Sequence, residues 1–296
     1  MPLLYLAKVN LNSRIFEVYK KNLSIEEVCV EIYKTLSNGI EYTDDEKKKY
    51  TDTYGNLAYY SRDIKYSFQE IIKHDNIIMG KLVKTFNKAT ETLNEISQKM
   101  VTTYNRESVS ISFYYDVYKE LITFCERQSF GYLQFSKAFS NMLNICMPMY
   151  EFEIFLQKDR NLLDEKLKNI KVVQRVKARL IPPNSNEDDI QLLRSESDYM
   201  AQCEDLNAYK FNVEYTSDNM NMDSKIMNDI KRAVSKGYGD MSVTGKNINN
   251  RCITINSSQE AAFTSNIREN IGERDFIEES KSLINRFLKN IINRRI

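Results

Sequence analysis

An α+β fold, with antiparallel or mixed sheets built from hairpins, interspersed helices and a long C-terminal helix, is what the sequence predicts. Three observations predict it. Short β-like runs follow one another across polar two- and three-residue turns, helical periodicity appears between them without regular alternation, and the chain ends in a long amphipathic segment.

Residues 3–9 are a nearly continuous apolar run, as expected of a strand buried on both faces. Ser24-Ile25-Glu26-Glu27 forms a capping box; Ile25, Val28, Ile32 and Leu36 recur behind it at helical spacing, and Asn38-Gly39 closes the helix. Residues 41–56, which include Asp44-Asp45-Glu46-Lys47-Lys48-Lys49, read as a solvated loop. Two β-like runs, 66–73 and 77–86, make a hairpin around His74-Asp75-Asn76, with Gly80 marking a bulge. A second hairpin is expected from 99–104 and 109–118, turning at Asn105-Arg106-Glu107.

Phe135, Phe139, Met142 and Leu143 place a helix between 131 and 146. A strand at 150–156, a short helix at 162–168 and a strand at 172–181 follow, the last stopped by Pro182-Pro183. Beyond a polar, acidic stretch the pattern reads strand (211–215), helix (223–235, closed by Gly237), strand (240–245), strand (251–256) and a C-terminal helix from about 275 to 296. The acidic stretch divides the chain into an N-terminal unit (1–183), a connector (184–206) and a C-terminal unit (207–296).

The 296 residues are 42% hydrophobic and 28% charged, enough apolar material for a packed core. Lys and Arg (42) balance Asp and Glu (41), so only local clustering can argue for an anionic partner. The five cysteines are scattered, with no metal or dithiol spacing, which fits a reducing cytoplasm. The N-terminal run is too short for a secretory signal, and no run approaches the ~18 apolar residues of a membrane span, so no membrane partner is expected.

A single histidine, His74, stands in a predicted turn, which counts against triad hydrolases, two-histidine ribonucleases and histidine-rich metal sites. No phosphate-binding glycine loop opens a helix; Gly237-Tyr238-Gly239 follows one instead. No cofactor is expected. Mg²⁺ would enter only if Asp116, Glu151 and Glu153 formed a metal-dependent nuclease, whose Asp…Glu-x-Lys order is broken here by Phe155.

Lys171, Arg175, Lys177 and Arg179 share the parity of one strand face, and neighbouring same-face cations about 7 Å apart match successive phosphates. The alternative is a solvent face neutralised by carboxylates of a neighbouring strand, such as Glu151 and Glu153. Lys231, Arg232, Lys246 and Arg251 are further candidates for contact with nucleic acid. The C-terminal helix carries Phe276, Leu283, Phe287, Leu288, Ile291 and Ile292 on one side, with Arg286, Lys289, Arg294 and Arg295 elsewhere. It is expected to pack on the domain, or to serve self-association or a protein partner through residues 275–296.

Ser110 to Asp116 with Glu120-Leu121-Ile122, Arg127-Gln128-Ser129-Phe130-Gly131-Tyr132 and Phe135, then Phe152 to Leu156, Leu180-Ile181-Pro182-Pro183-Asn184 and Gly237-Tyr238-Gly239, carry a resemblance. Over much of 100–256 the chain resembles an uncharacterised prokaryotic family encoded beside phage-defence genes. The resemblance implies a role in anti-phage, abortive-infection defence, with a protein partner from the same operon, and supplies no catalytic residues. The expected function is therefore nucleic-acid binding through the basic strand face without catalysis, the alternatives being a nuclease effector and an interaction subunit.

Overall fold

Strand β1 (Leu3–Leu11) organises the chain because it is covered on both faces and paired on both edges. The computed structural model describes residues 2–51, 57–94, 98–184, 198–269 and 271–292. On one edge β1 pairs with β6 (Leu121–Cys125); the other edge is shared by β7 (Phe152–Leu156) and β12 (Thr264–Asn266). From β6 the sheet continues through β5 (Lys99–Asp116), β4 (Ile77–Asn94), β3 (Leu57–His74) and β2 (Glu41–Thr51), eight strands among the described residues, every pairing antiparallel.

The alternation of β1 explains its three neighbours. Tyr5, Ala7, Val9 and Leu11 enter a core shared with α2 (Ile25–Thr35) and α3 (Tyr132–Cys146). Aromatic rings lock α3 to the sheet: Phe135 stacks on Phe124 at 3.9 Å, and Phe139 meets Phe68 and Phe113 edge-on at 5.0 and 5.1 Å. Such pairs contribute about 1 kcal/mol each beyond area burial. On the opposite face Leu4 and Leu6 lie beneath the C-terminal helix, and Lys8, Asn10 and Asn12 are buried, Lys8 and Asn10 against the second layer.

That second layer is a four-stranded antiparallel sheet ordered β11 (Cys252–Asn256), β10 (Gly239–Lys246), β8 (Val172–Leu180), β9 (Phe211–Thr216). One face is covered by α4 (Arg160–Leu167) and α6 (Lys225–Ser235), whose Leu163, Met227, Ile230, Ala233 and Val234 pack on Val176, Leu180 and Val243. Asn10 Nδ2 donates to Gly237 O at 3.1 Å and Gln157 Nε2 to Lys236 O at 3.4 Å, tying the turn after α6 to the first sheet. Gly237 is required there: its φ is +76°, and an added Cβ would lie 2.6 Å from Gln157 Nε2. The remaining helices among the described residues are α1 (Ile15–Tyr19), α5 (Asp198–Leu206), α7 (Ser257–Glu260) and α8 (Glu273–Ile292).

The α+β class and most elements agree with expectation. The capping box closes as read, with Glu26 N on Ser24 Oγ at 3.1 Å and Ser24 N on Glu27 Oε2 at 3.3 Å. Asp75 (φ 47°) and Asn76 (φ 65°) make the two-residue hairpin turn, whose paired positive φ values match strand twist. The bulge lies on β3 between Gln69 and Ile72, across from Gly80, where a Cβ would meet Ile71 Cδ1 at 2.4 Å.

Two expectations are corrected, and the domain division is set against the observed elements. Residues 41–51 of the expected loop are strand β2, because backbone pairing with β3 overrides a polar composition; 52–56 lie outside the described residues. Asn105, Arg106 and Glu107 do not turn. They pair in register with Lys88, Asn87 and Phe86 along a ribbon of 18-residue strands, where polar residues on an exposed surface cost nothing. Much of the connector lies outside the described residues (185–197), but 198–206 is helix α5. The boundary at 183 cuts through the second sheet, since β8 at 172–180 is one of its two inner strands.

Candidate nucleic-acid interface

Burial alternates along β8: Val176, Ala178 and Leu180 face the helices, and Arg175, Lys177 and Arg179 face solvent, each about half exposed at 47–50% of the side chain. Strand registers extend this into polar rows. Asn212, Arg179 and Asp240 form one; Glu214, Lys177, Ser242 and Asn256 the next; Thr216, Arg175, Thr244 and Thr254 a third. The open face thus carries hydroxyls, amides and cations, with Tyr132 and Leu133 of α3 at the rim of a cleft of about 550 Å³ above it.

A register shift opposite Thr244 and Gly245 leaves Gln174 as an extra residue in β8. Val172 therefore shares the face of Arg175, and Lys171 does not continue the row as strict alternation predicts. Lys246 lies at the far end of the same face, across from Cys252, and Arg251 in the turn leading into β11. Lys231 and Arg232 belong to α6, which covers the other face, so they do not join this surface.

The cations of the row have carboxylate partners. Arg175 Nε donates to Glu214 Oε1 at 2.5 Å and Lys177 lies 3.2 Å from Glu214 Oε2; the Arg175 hydrogen bond, before the Lys177 one, holds Glu214 below the usual carboxylate range. Arg179 pairs with Glu153 and rests 5.5 Å over the Phe155 ring. The neutralised face that sequence offered as the alternative is therefore present in part: Glu153 fills that role, and Glu214, which the reading of β9 did not single out, fills the rest. Only the register of β9 against β8 reveals Glu214.

The proposed nuclease carboxylates are arranged otherwise. Glu151 and Glu153 converge on Lys210 Nζ at 2.7 and 2.9 Å, so an ammonium occupies the space between them. Burial alone would lower the Lys210 pKa; the hydrogen bonds its ammonium donates to both carboxylates raise it above the ordinary value. Asn12 Nδ2 also donates to Glu153 at 3.0 Å. Asp116 sits apart, in a cleft with Asp75, Tyr118 and Lys281, bonded to Lys119 Nζ at 2.7 Å. Among the described residues no cluster of three or more Asp, Glu, Cys or His is arranged to hold a metal ion. His74 is not in the turn itself but is the exposed last residue of β3, paired with Ile77 and 2.9 Å from Asp75.

One arrangement went unread in the sequence. Lys158, whose side chain is wholly buried, reaches from the first sheet to Gly239 O at 2.9 Å and Asp240 Oδ1 at 2.5 Å, and Ser258 Oγ donates to the same oxygen. Burial pushes the Lys158 pKa down, partly offset by Asp240. For Asp240, burial works upward, but the Lys158 charge and hydrogen bond outweigh it and hold the carboxyl below its usual range. The three residues are 82 and 18 positions apart along the chain, so no local pattern links them.

The apolar stripe of α8 is used within the chain. Phe276, Leu283, Ile284 and Phe287 are buried against Leu4, Leu6, Tyr114, Leu121 and Phe263. That packing favours the domain-packing expectation over self-association through this stripe; Arg294 and Arg295 lie outside the described residues. No helix among the described residues is long and apolar enough to cross a membrane. A comparison with curated proteins finds no match. The family model for "Domain of unknown function (DUF4747)" matches residues 14–276, and the chain belongs to that family.

Proposed function

We propose that the chain binds nucleic acid across the open face of its second sheet, as a non-catalytic component of a bacterial anti-phage defence system. The observation that carries this reading is the line of Arg175, Lys177 and Arg179 on one exposed strand face, flanked in register by hydroxyl and amide side chains. Exposed ion pairs such as Arg175–Glu214 contribute little and exchange readily, so a phosphate can displace the carboxylate from a half-exposed guanidinium. The face also lacks aromatic side chains along its rows, which favours contact with the sugar–phosphate backbone over base stacking.

The test is a fluorescence-anisotropy titration with labelled oligonucleotides at two salt concentrations. Binding should weaken steeply with salt, and Arg175→Glu combined with Arg179→Glu should abolish it while the thermal melt stays cooperative. Unchanged affinity in that folded double variant overturns the reading. For the defence role, plating efficiency of phage on a host carrying the gene should fall, and recover with the same variant.

A further inference from the structure

We infer that the face selects RNA over DNA, with Asp240 accepting a hydrogen bond from a ribose 2′-hydroxyl while Arg179 and Lys177 hold the adjacent phosphate. This deepens the nucleic-acid reading above and rests on it. Asp240 is an odd residue for a surface that binds only phosphates: it stands in the same row as Arg179, as its cross-strand neighbour, and would repel an anion. Yet it is built in with care. Its Oδ1 is held by Lys158 from below and by the Ser258 hydroxyl from the side. Among the described residues no hydrogen bond ends on Oδ2, the side chain is 42% exposed, and it lines the 550 Å³ cleft.

An ionised carboxylate only accepts hydrogen bonds, so whatever meets Oδ2 must be a donor. The cations beside it call for negative charge. A ligand that offers both at neighbouring positions is a ribose phosphate, whose 2′-hydroxyl and 3′-phosphate hang on adjacent carbons of one sugar. Cross-strand neighbours stand about 5 Å apart, near enough for both groups of one nucleotide to be met together. Ser242 and Asn212, next to Asp240 and Arg179, add hydroxyl and amide partners along the same backbone. The depressed Asp240 pKa keeps the acceptor charged throughout the neutral range.

The experiment compares one sequence as RNA, as DNA, as 2′-O-methyl RNA and as 2′-fluoro RNA by anisotropy with the full chain. RNA should bind about tenfold more tightly than the other three, the value of one charge-assisted hydrogen bond. Because 2′-O-methyl and 2′-fluoro RNA keep the RNA sugar pucker but lack the donor, equal binding of these and RNA overturns the inference. Equal binding of RNA and DNA also overturns it, leaving the interface standing. If none of the four binds, the interface itself fails. Competition with adenosine 3′-monophosphate and its 2′-deoxy form identifies the source: displacement by the ribonucleotide alone, at concentrations where the strand binds, supports selection at a single-nucleotide site, and no displacement with retained RNA preference supports selection along a strand. Asp240→Asn should reduce the RNA-to-DNA ratio. Ser258→Ala, which leaves the Lys158 pair in place, should reduce it less and guards against loss of folding.

Discussion

Two sets of paired charges on the second sheet use the same chemistry and behave differently. Arg175 and Lys177 share Glu214 on the open face, with every partner about half exposed. Lys158 and Asp240 join the two layers, with the lysine side chain wholly buried and the aspartate opening onto the cleft. Water competes for the first set and screens it; the second is fixed by desolvation, because among the described residues the buried ammonium meets one carboxylate, Asp240. An interface needs both: cations free to change partners, and an acceptor that does not move.

Removing the anion from the buried pair gives the largest effect. Asp240→Ala should lower unfolding stability by about 2 kcal/mol, less than a fully buried pair costs because water reaches the aspartate side. Lys158→Met should cost only about 1 kcal/mol, since the carboxylate can turn to solvent and the methionine fills the cavity. Denaturant titration of both variants checks the order; a reversed order means that Lys158 is hydrated and the contrast with Glu214 disappears.

A pH titration sharpens the same contrast. The folded Asp240 pKa lies below its ordinary value of 3.8, so the unfolded chain takes up the proton first. Its contribution is complete above that value and is lost as pH falls toward the folded pKa. Wild type should therefore lose stability below about pH 4 with a steeper slope than Asp240→Asn. Equal slopes mean the carboxylate is not held by Lys158 in solution.

The smallest effect on stability should be at Glu214. Glu214→Gln is expected to leave the denaturation midpoint unchanged and to strengthen binding of labelled oligonucleotides several-fold, because Arg175 and Lys177 lose their competitor. Weaker binding would show that Glu214 orients the cations instead of occupying them.

Part of this was legible in local patterns. The capping box at Ser24, the Asp75-Asn76 turn, the α3 stripe of Phe135, Phe139 and Met142 and the β8 alternation all depend on residues a few positions apart. Elements whose stability comes from a neighbour were not. Strand β2 is polar and extended because β3 lies beside it, and β5 runs through Asn105-Arg106-Glu107 because β4 does. Glu214 and Lys210 carry no mark in their own segments; they matter because folding sets them against Arg175 and against Glu151 and Glu153.

By itself the sequence determined the α+β class, most helices and the cationic row, since propensity, capping and two-residue alternation act over short spans of chain. Only the tertiary structure decided strand order, the shift at Gln174 that removes Lys171 from the row, and the partners of each charge. The reason is physical. Backbone pairing and charge compensation join residues far apart in sequence, such as Lys158 and Asp240, and their energies depend on burial that no segment possesses until the sheets have packed.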